Sequence, residues 1–174
     1  MKLIRTLLAI GLSASFVLAA DYTFAPPRGK VGFTINHRVL GAVDGRFDKF
    51  EGTITIEAGA VKALNGVVET ASINTDNVKR DEHLRNEDFF DAPKYPKISF
   101  VTKSVSGDQI KGDLTIHGIT KPVTLTAKRD LGSGKTLDLF LITGQIKRSD
   151  FKIGDTIQLE DDVVLKLEIR PAIY

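Results

Sequence analysis

The sequence has no cysteine and no tryptophan, and it has three histidines among 174 residues. Without cysteine, disulfides, thiolate nucleophiles and cysteine-ligated metals are excluded. The histidines, His37, His83 and His117, show neither the paired helical spacing of a zinc protease nor a His-x-His pair on one strand. A Gly-x-Ser-x-Gly nucleophile motif is also missing. We therefore expect no metal, no cofactor and no nucleophilic catalysis.

A charge surplus of one sign is lacking as well. The 24 basic and 22 acidic residues nearly balance, and without Lys2 and Arg5 near the N-terminus the basic count equals the acidic one. A nucleic-acid-binding domain needs a clustered basic excess, so no nucleic-acid partner is expected. The stretch GSGKT, residues 132–136, lacks the earlier glycine of a phosphate-binding loop and no helix is predicted after it.

One long apolar run occurs, close to the N-terminus. Basic residues precede an apolar stretch over residues 7–18, and a cleavage site follows after Ala19 or Ala20. This layout is typical of a secretory signal peptide, and the run is shorter than the roughly 20 apolar residues of a membrane span. We expect residues 1–20 to be removed, which leaves a single domain over 21–174 that is not an integral membrane protein. In a two-membrane bacterium, that domain would lie in the periplasm; an uncleaved anchor is the alternative.

Alternation of apolar and polar residues dominates the rest of the chain. VGFTINH, QIKGDLTIHG and VVLKLEIR each place apolar side chains at every second position. Such alternation predicts half-buried antiparallel strands, and long, regularly spaced strands favour a closed barrel over a sandwich. The fold class expected is all-β, an eight-stranded antiparallel barrel. Its strands are predicted at roughly residues 30–37, 44–57, 61–73, 97–106, 109–118, 121–130, 136–148 and 161–171.

The stretch RDEHLRNEDFFDAPKYPKISF interrupts this alternation. Its helix-forming residues predict a short helix over residues 80–87, and Pro93 ends the helical segment. The whole helix and loop insertion covers residues 78–92. Its acids, bases and histidine resemble an active site in composition, but general acid–base catalysis needs two groups with separated pKa values held in a cleft.

Three interpretations of this insertion stay open. In the first, it is a lid whose Leu84, Phe89 and Phe90 close the barrel while its charges pair with strand-end partners such as Arg148 or Asp150. In the second, some of its polar residues contact a ligand head group. In the third, it is catalytic. The lid is favoured because the apolar residues follow the charged helix directly.

Four stretches of the chain resemble the YceI-like family. They are FTINHRVLGAVDGRFDKFEGTI, SINTDNVKRDEHLRNEDFFDAPKYPKISF, IKGDLTIHGITKPVTL and IKRSDFKIGD, and the resemblance runs in order from Asp21 to the C-terminus. It implies an extended lipocalin-like barrel, secretion to the periplasm and a long apolar ligand, such as a polyisoprenoid, a prenyl quinone or a fatty-chain amide. A homodimer is compatible with the resemblance. One departure is Lys152, which follows RSDF where the family usually has glycine.

The interior of an eight-stranded barrel holds side chains or one small ligand. Glycines on inward rows, at positions 45, 52, 112 and 144, either leave room for a slim chain or let the barrel coil. His37 extends an inward row, where it closes the rim or contacts a head group such as a quinone carbonyl. The residues predicted to bind the ligand are Phe33, Ile35, His37, Phe47, Ile54, Arg80, Asp81, His83, Leu84, Phe89, Phe90, Phe100, Leu114, Ile116, Leu125 and Ile142.

The expected function is that of a binding or carrier protein for a long-chain isoprenoid or other lipid, with no catalytic step. One alternative is an enzyme that acts on such a lipid, with His37, His83 or Asp81 as acid or base. The other is a ligand-free stress-response module that binds another protein. A barrel filled by its own side chains would favour that last hypothesis.

Overall fold

The computed structural model describes residues 18–130 and 139–171. Within them the chain forms eleven β-strands, one α-helix (α1) and two 3-10 turns, Thr70–Ser72 and Arg148–Phe151. The strands are β1 Ala20–Phe24, β2 Gly29–His37, β3 Gly41–Phe47, β4 Phe50–Glu57, β5 Ala60–Glu69, β6 Ile73–Asn74, β7 Lys97–Ser106, β8 Gln109–Ile116, β9 Ile119–Asp130, β10 Leu139–Lys147 and β11 Leu159–Ile169; the helix is Val78–Leu84. Most of the predicted signal peptide lies outside the described residues.

All strands belong to one antiparallel sheet. Its order is β1-β4-β5-β7-β8-β9-β10-β11-β2-β3-β6, with β1 and β6 as the outer strands. The sheet curls into a half-barrel, and two backbone hydrogen bonds join the segment between β3 and β4 to the end of β5 and to the 3-10 turn that follows it. Asp48 N–H donates to Ser72 C=O and Glu69 N–H donates to Lys49 C=O, both at 3.0 Å. The all-β, lipocalin-like class is confirmed.

The predicted number of strands is wrong. The predicted strand 44–57 is divided into β3 and β4 at residues 48–49, and β1 was not predicted at all. The division has a packing reason, because Phe47 and Phe50 are both buried. Residues three apart in one continuous strand face opposite sides of the sheet, so a break between them is needed for both rings to point inward.

One half of the interior is closely packed. Ile54, Ile110 and Ile142 have no exposed surface, and Phe140 and Ile169 are 1% exposed. These residues come from β4, β8, β10 and β11 and belong to one cluster of buried hydrophobic side chains. This half forms the core that holds the curled sheet together.

Helix α1 lies within the insertion predicted at residues 78–92, but it begins two residues before the predicted helix over 80–87 and ends three residues before that helix does. The Asn77 side chain caps its first turn by accepting a hydrogen bond from Arg80 N–H at 3.1 Å. At its other end, Arg85 donates through its guanidinium to Ala71 C=O at 2.8 Å and Ile73 C=O at 2.9 Å. These bonds fix the helix to the β5–β6 connection.

In the part of the chain that the structure covers, no helix combines the length and the apolar character needed to cross a bilayer.

Candidate ligand-binding cavity

The other half of the interior is hollow. It contains a cavity of about 700 Å³ whose walls are formed mainly by β2, β3, β5, β7, β8 and β11, with one or two residues each from β1, β4, β9 and β10. On β8, Leu114 and Ile116 line this cavity, whereas Ile110 lies in the packed half. On β10 only Ile146 reaches the cavity among the residues described there. The interior enclosed by the curled sheet is therefore packed with side chains along one part of the strands and contains the cavity along the other part.

Most of the predicted ligand-binding residues line this cavity. Those that do are Phe33, Ile35, His37, Phe47, Arg80, His83, Leu84, Phe89, Phe90, Phe100, Leu114, Ile116 and Leu125. Ile54 and Ile142 do not, because they belong to the packed half of the interior. Asp81, on helix α1 of the lid, is buried and does not line the cavity either. Ligand contact by the lining residues stays a prediction.

Glycines on the inner wall are covered by neighbouring side chains. A side-chain carbon at Gly45 would overlap the ring of Phe33, and one at Gly112 would overlap the ring of Phe100. Gly52 and Gly144 are covered in the same way by Phe24 and Leu125. The glycines thus do not themselves provide open space. They let large side chains lie along the wall, and this keeps the middle of the cavity free.

The segment after α1 covers the cavity with aromatic side chains. The Phe90 ring packs edge-on against Phe47, with 6.1 Å between centroids, and Phe47 packs against Phe33 at 5.9 Å. Phe89 lies 4.9 Å from the His83 ring. Leu84 also lines the cavity. The arrangement has the geometry of the predicted lid, in which apolar groups face inward.

Two charged residues of the lid, Arg80 and Asp81, bind to Thr75 in the segment before α1. Asp81 accepts hydrogen bonds from the Thr75 N–H at 2.9 Å and from its hydroxyl at 2.5 Å. Arg80 donates to the same hydroxyl and to Thr75 C=O, each at 2.8 Å. Thr75 and Arg80 line the cavity. Asp81 therefore positions Thr75 and Arg80, and its carboxylate is occupied by structural contacts.

An exposed ion pair fixes the segment before α1. Arg46 donates from both terminal nitrogens to the carboxylate of Asp76 at 2.9 Å, and from Nε to Asp48 at 3.0 Å. These hydrogen bonds lower the pKa of the Asp76 carboxyl group and raise the pKa of the Arg46 guanidinium. Because the groups are solvent-exposed, the pair contributes little to stability.

His37 lies at the mouth of the cavity. Its Nδ1 accepts hydrogen bonds from Val39 N–H at 3.1 Å and Leu40 N–H at 3.2 Å. A neutral imidazole that accepts at Nδ1 carries its proton on Nε2. His117 sits at φ 52° between β8 and β9, and its Nδ1 lies 3.2 Å from Phe151 C=O.

Arg148 lines the cavity, a position that the sequence did not predict. The guanidinium donates to five backbone carbonyls, those of Ile153, Gly154, Thr156, Leu159 and Glu160. The expectation that it pairs with charges of the lid is wrong. Instead it fixes the course of the whole segment between the second 3-10 turn and β11.

This segment meets the lid directly. Gly154 N–H donates to Asp88 C=O at 3.1 Å, and the Phe89 ring covers Gly154, which has φ 59°. Lys152 also has a positive φ, 55°. That conformation favours glycine, so the departure noted in the sequence leaves the turn intact but places a lysine side chain on the cavity rim.

Other lining residues were missed as well. Phe24, Phe50 and Leu40 belong to this group. As aromatic residues, Phe24 and Phe50 could have been predicted to face inward. They were missed because they lie in or next to strand boundaries that the alternation did not locate. Within the described ranges, no cluster of three metal-ligating side chains occurs.

Comparisons with known proteins agree with this architecture. A model of the YceI-like domain matches residues 22–170. Protein YceI of Escherichia coli O157:H7 is 35% identical over 179 residues, which cover 94% of this chain and 93% of that protein.

Solved structures give the same result. The YceI protein of Campylobacter jejuni is 32% identical and superposes with a TM-score of 0.64, over 76% of this chain and 85% of that one. A polyisoprenoid binding domain from Saccharophagus degradans, implicated in plant cell wall breakdown, is 16% identical with a TM-score of 0.60, over 90% and 100% of the two chains. The second likeness is one of fold. With a family model over most of its length and a close relative in sequence, the chain belongs to the YceI-like family.

Proposed function

We propose that the protein binds one long-chain isoprenoid, or an amphiphile of similar shape, in its cavity and carries it without changing it chemically. The observation that carries this proposal is the cavity itself. Its volume of about 700 Å³ lies within the range of roughly 300–1,000 Å³ that small-molecule sites occupy. Its walls are mainly aliphatic and aromatic, with polar groups concentrated at the lid and the mouth.

Burial of the chain supplies the affinity. Each CH₂ group transferred from water into an apolar cavity gains about 0.8 kcal/mol. A chain of about twenty carbons gains roughly 16 kcal/mol, which exceeds the cost of its immobilisation, on the order of 4–15 kcal/mol. Few polar contacts are then needed, and Arg80, His83 and His37 are placed to contact a head group. Family membership, and the fold shared with the polyisoprenoid binding domain of Saccharophagus degradans, support a lipid ligand.

The carrier acts in the periplasm in this proposal. The support is the layout of residues 1–20, with basic residues, a short apolar run and small residues in that order. The family match over residues 22–170 agrees with one domain that follows this segment.

The two alternative functions have less support. Of the three candidate acids or bases in the enzymatic hypothesis, His37 and His83 line the cavity, but Asp81 does not, and its carboxylate is bound to Thr75. The ligand-free module was expected to have an interior filled by side chains, and a cavity of about 700 Å³ argues against it.

Mass spectrometry of lipid extracts from natively purified protein, together with titration by a prenyl quinone, tests the proposal. We expect a co-purified long-chain lipid and saturable uptake of the quinone. Phe33→Arg places a charge in the cavity and should weaken uptake at least tenfold, whereas Thr34→Arg, whose side chain faces Asp44 on the outside, should not. Val43→Phe fills part of the cavity without a charge and should also weaken uptake. Absence of both lipid and uptake in the wild type would refute the proposal.

A further inference from the structure

Three apolar side chains project into solvent at the mouth of the cavity. Val39 is 82% exposed, Leu40 66% and Ile157 85%; together we call them the mouth edge. They lie on two turns that are joined by a hydrogen bond of 2.8 Å from Arg38 N–H to Gln158 C=O. Leu40 and Gln158 also line the cavity. The mouth edge is therefore continuous with the cavity interior.

The first turn is held in this position by His37. The imidazole Nδ1 accepts from the backbone N–H groups of both Val39 and Leu40. The backbone of these two residues is thus held against the ring, while their side chains are largely exposed. Their exposure follows from a hydrogen-bonded turn, not from a loose loop.

The second turn is held by Arg148. Two of the carbonyls bound by its guanidinium, those of Thr156 and Leu159, lie on either side of Ile157, at 2.8 Å and 3.2 Å from Nη2. The side chain of Ile157 is left outside this network and faces solvent. In each turn, a side chain at the cavity wall, His37 in the first and Arg148 in the second, binds the backbone and leaves aliphatic side chains exposed.

Exposed aliphatic groups that are fixed and adjacent indicate a contact surface. Other exposed apolar residues, such as Val101 and Val164, stand singly on the outer face of the sheet. The charges around the mouth edge are mixed: Arg38 and Lys152 are basic, and Asp155 and Glu160 are acidic. A surface of this kind complements a bilayer with little net charge, because attraction comes from the apolar groups.

We propose that the mouth edge inserts into the surface of a phospholipid bilayer, so that the cavity opens directly onto the lipid phase. The use of this contact for lipid exchange rests on the proposed carrier function; the contact itself does not. A long-chain lipid that passes between bilayer and cavity at such a junction avoids exposing its chain to water.

Flotation with vesicles of pure phosphatidylcholine tests the contact. We expect the wild-type protein to bind, with little dependence on salt, because charge contributes little to the attraction. Val39→Ser combined with Ile157→Ser should lower the partition into vesicles about tenfold, since two apolar anchors are lost. Neither residue lines the cavity. The matched control is Val101→Ser with Val164→Ser, on the outer face of the sheet, and should bind as the wild type does.

Quinone uptake separates this proposal from the carrier function. We expect the double variant to take up a prenyl quinone from a cyclodextrin complex with wild-type affinity, but about tenfold more slowly from vesicles. Equal rates from vesicles, or no vesicle binding by the wild type, would overturn the proposal and leave the carrier function standing. Vesicle binding without quinone uptake from either source would support the bilayer contact and refute the carrier function. A wild-type dimer in sedimentation that the double variant abolishes would assign the mouth edge to self-association and overturn membrane insertion.

Discussion

Phe33 lies across Gly45, its direct partner on the neighbouring strand, and occupies the space that a side chain at that position would need. Gly45 has no positive φ, so the reason for glycine here is space. The ring consequently rests against the wall, and the centre of the cavity stays open.

Gly45→Ala should therefore push the Phe33 ring into the cavity. We expect a loss of about 1–3 kcal/mol in the free energy of unfolding, as for other overpacked interiors, and weaker ligand uptake. Urea denaturation and quinone titration measure the two effects. Gly66→Ala is the control, because the added carbon would meet its neighbours at 3.5 Å and 3.6 Å, ordinary contact distances. Combining Gly45→Ala with Phe33→Ala should relieve the clash, so additive losses would contradict the explanation.

Removal of the Asp81 carboxylate should destabilise the lid. Asp81→Ala leaves the N–H and hydroxyl of the buried Thr75 without their acceptor, at a cost of about 1–3 kcal/mol. Asp81→Asn keeps one acceptor oxygen and should cost less. Urea unfolding of both variants, with the exposed neighbour Glu82→Ala as control, gives the comparison. If Asp81→Ala were as stable as Glu82→Ala, the network would have no structural role.

The sequence predicts this lid and the strand type well, because period-two alternation and helix-forming residues are local signals. It does not locate the cavity along the strands. Ile54 and Ile142 lie on inward rows just as Phe33 does, but packing is tight around the first two and loose around the third. That difference depends on which residues of neighbouring strands meet at each level, and alternation within one strand contains no such information.

Arg148 shows a second limit. Its five acceptors are backbone carbonyls of residues 153–160. Every residue has the same backbone carbonyl group, so no pattern of side chains predicts that an arginine will donate hydrogen bonds to several of them. The role follows only from the path of the chain, which the fold of the surrounding strands determines.

Arg148→Lys should loosen that segment without unfolding the sheet. One ammonium group cannot replace a planar guanidinium that reaches five carbonyls, and we expect a loss of about 2 kcal/mol in the free energy of unfolding. Amide hydrogen exchange should rise in residues 153–159 more than in β8. The neighbouring Lys147→Ala removes exposed ion pairs with Asp161 and Asp162 and should change stability by less than about 1 kcal/mol. Uniform exchange in Arg148→Lys would argue against a local anchor.

Asp161 gives the protein an acid-sensitive contact near the same segment. Its carboxylate accepts from Ser149 N–H at 2.9 Å and from the Ser149 hydroxyl at 2.8 Å. These hydrogen bonds, with the nearby charge of Lys147, hold the pKa of Asp161 below its ordinary value of 3.8. A carboxyl group with a lowered pKa in the folded state stabilises the protein fully above its ordinary pKa, and this contribution is lost as the pH falls through the folded-state value.

Asp161→Asn should therefore lower stability at neutral pH and flatten its decline in acid. Because the carboxylate is partly exposed, we expect a difference below about 1 kcal/mol at pH 7, and the two stability curves should converge as the pH falls below the folded-state pKa. Urea unfolding from neutral to acid pH measures this, with Asp162→Asn as the matched control, since Asp162 contacts the exposed Lys147 ammonium at 3.2 Å. A constant gap between wild type and Asp161→Asn at every pH would show that the loss comes from packing and not from the charge of the carboxylate.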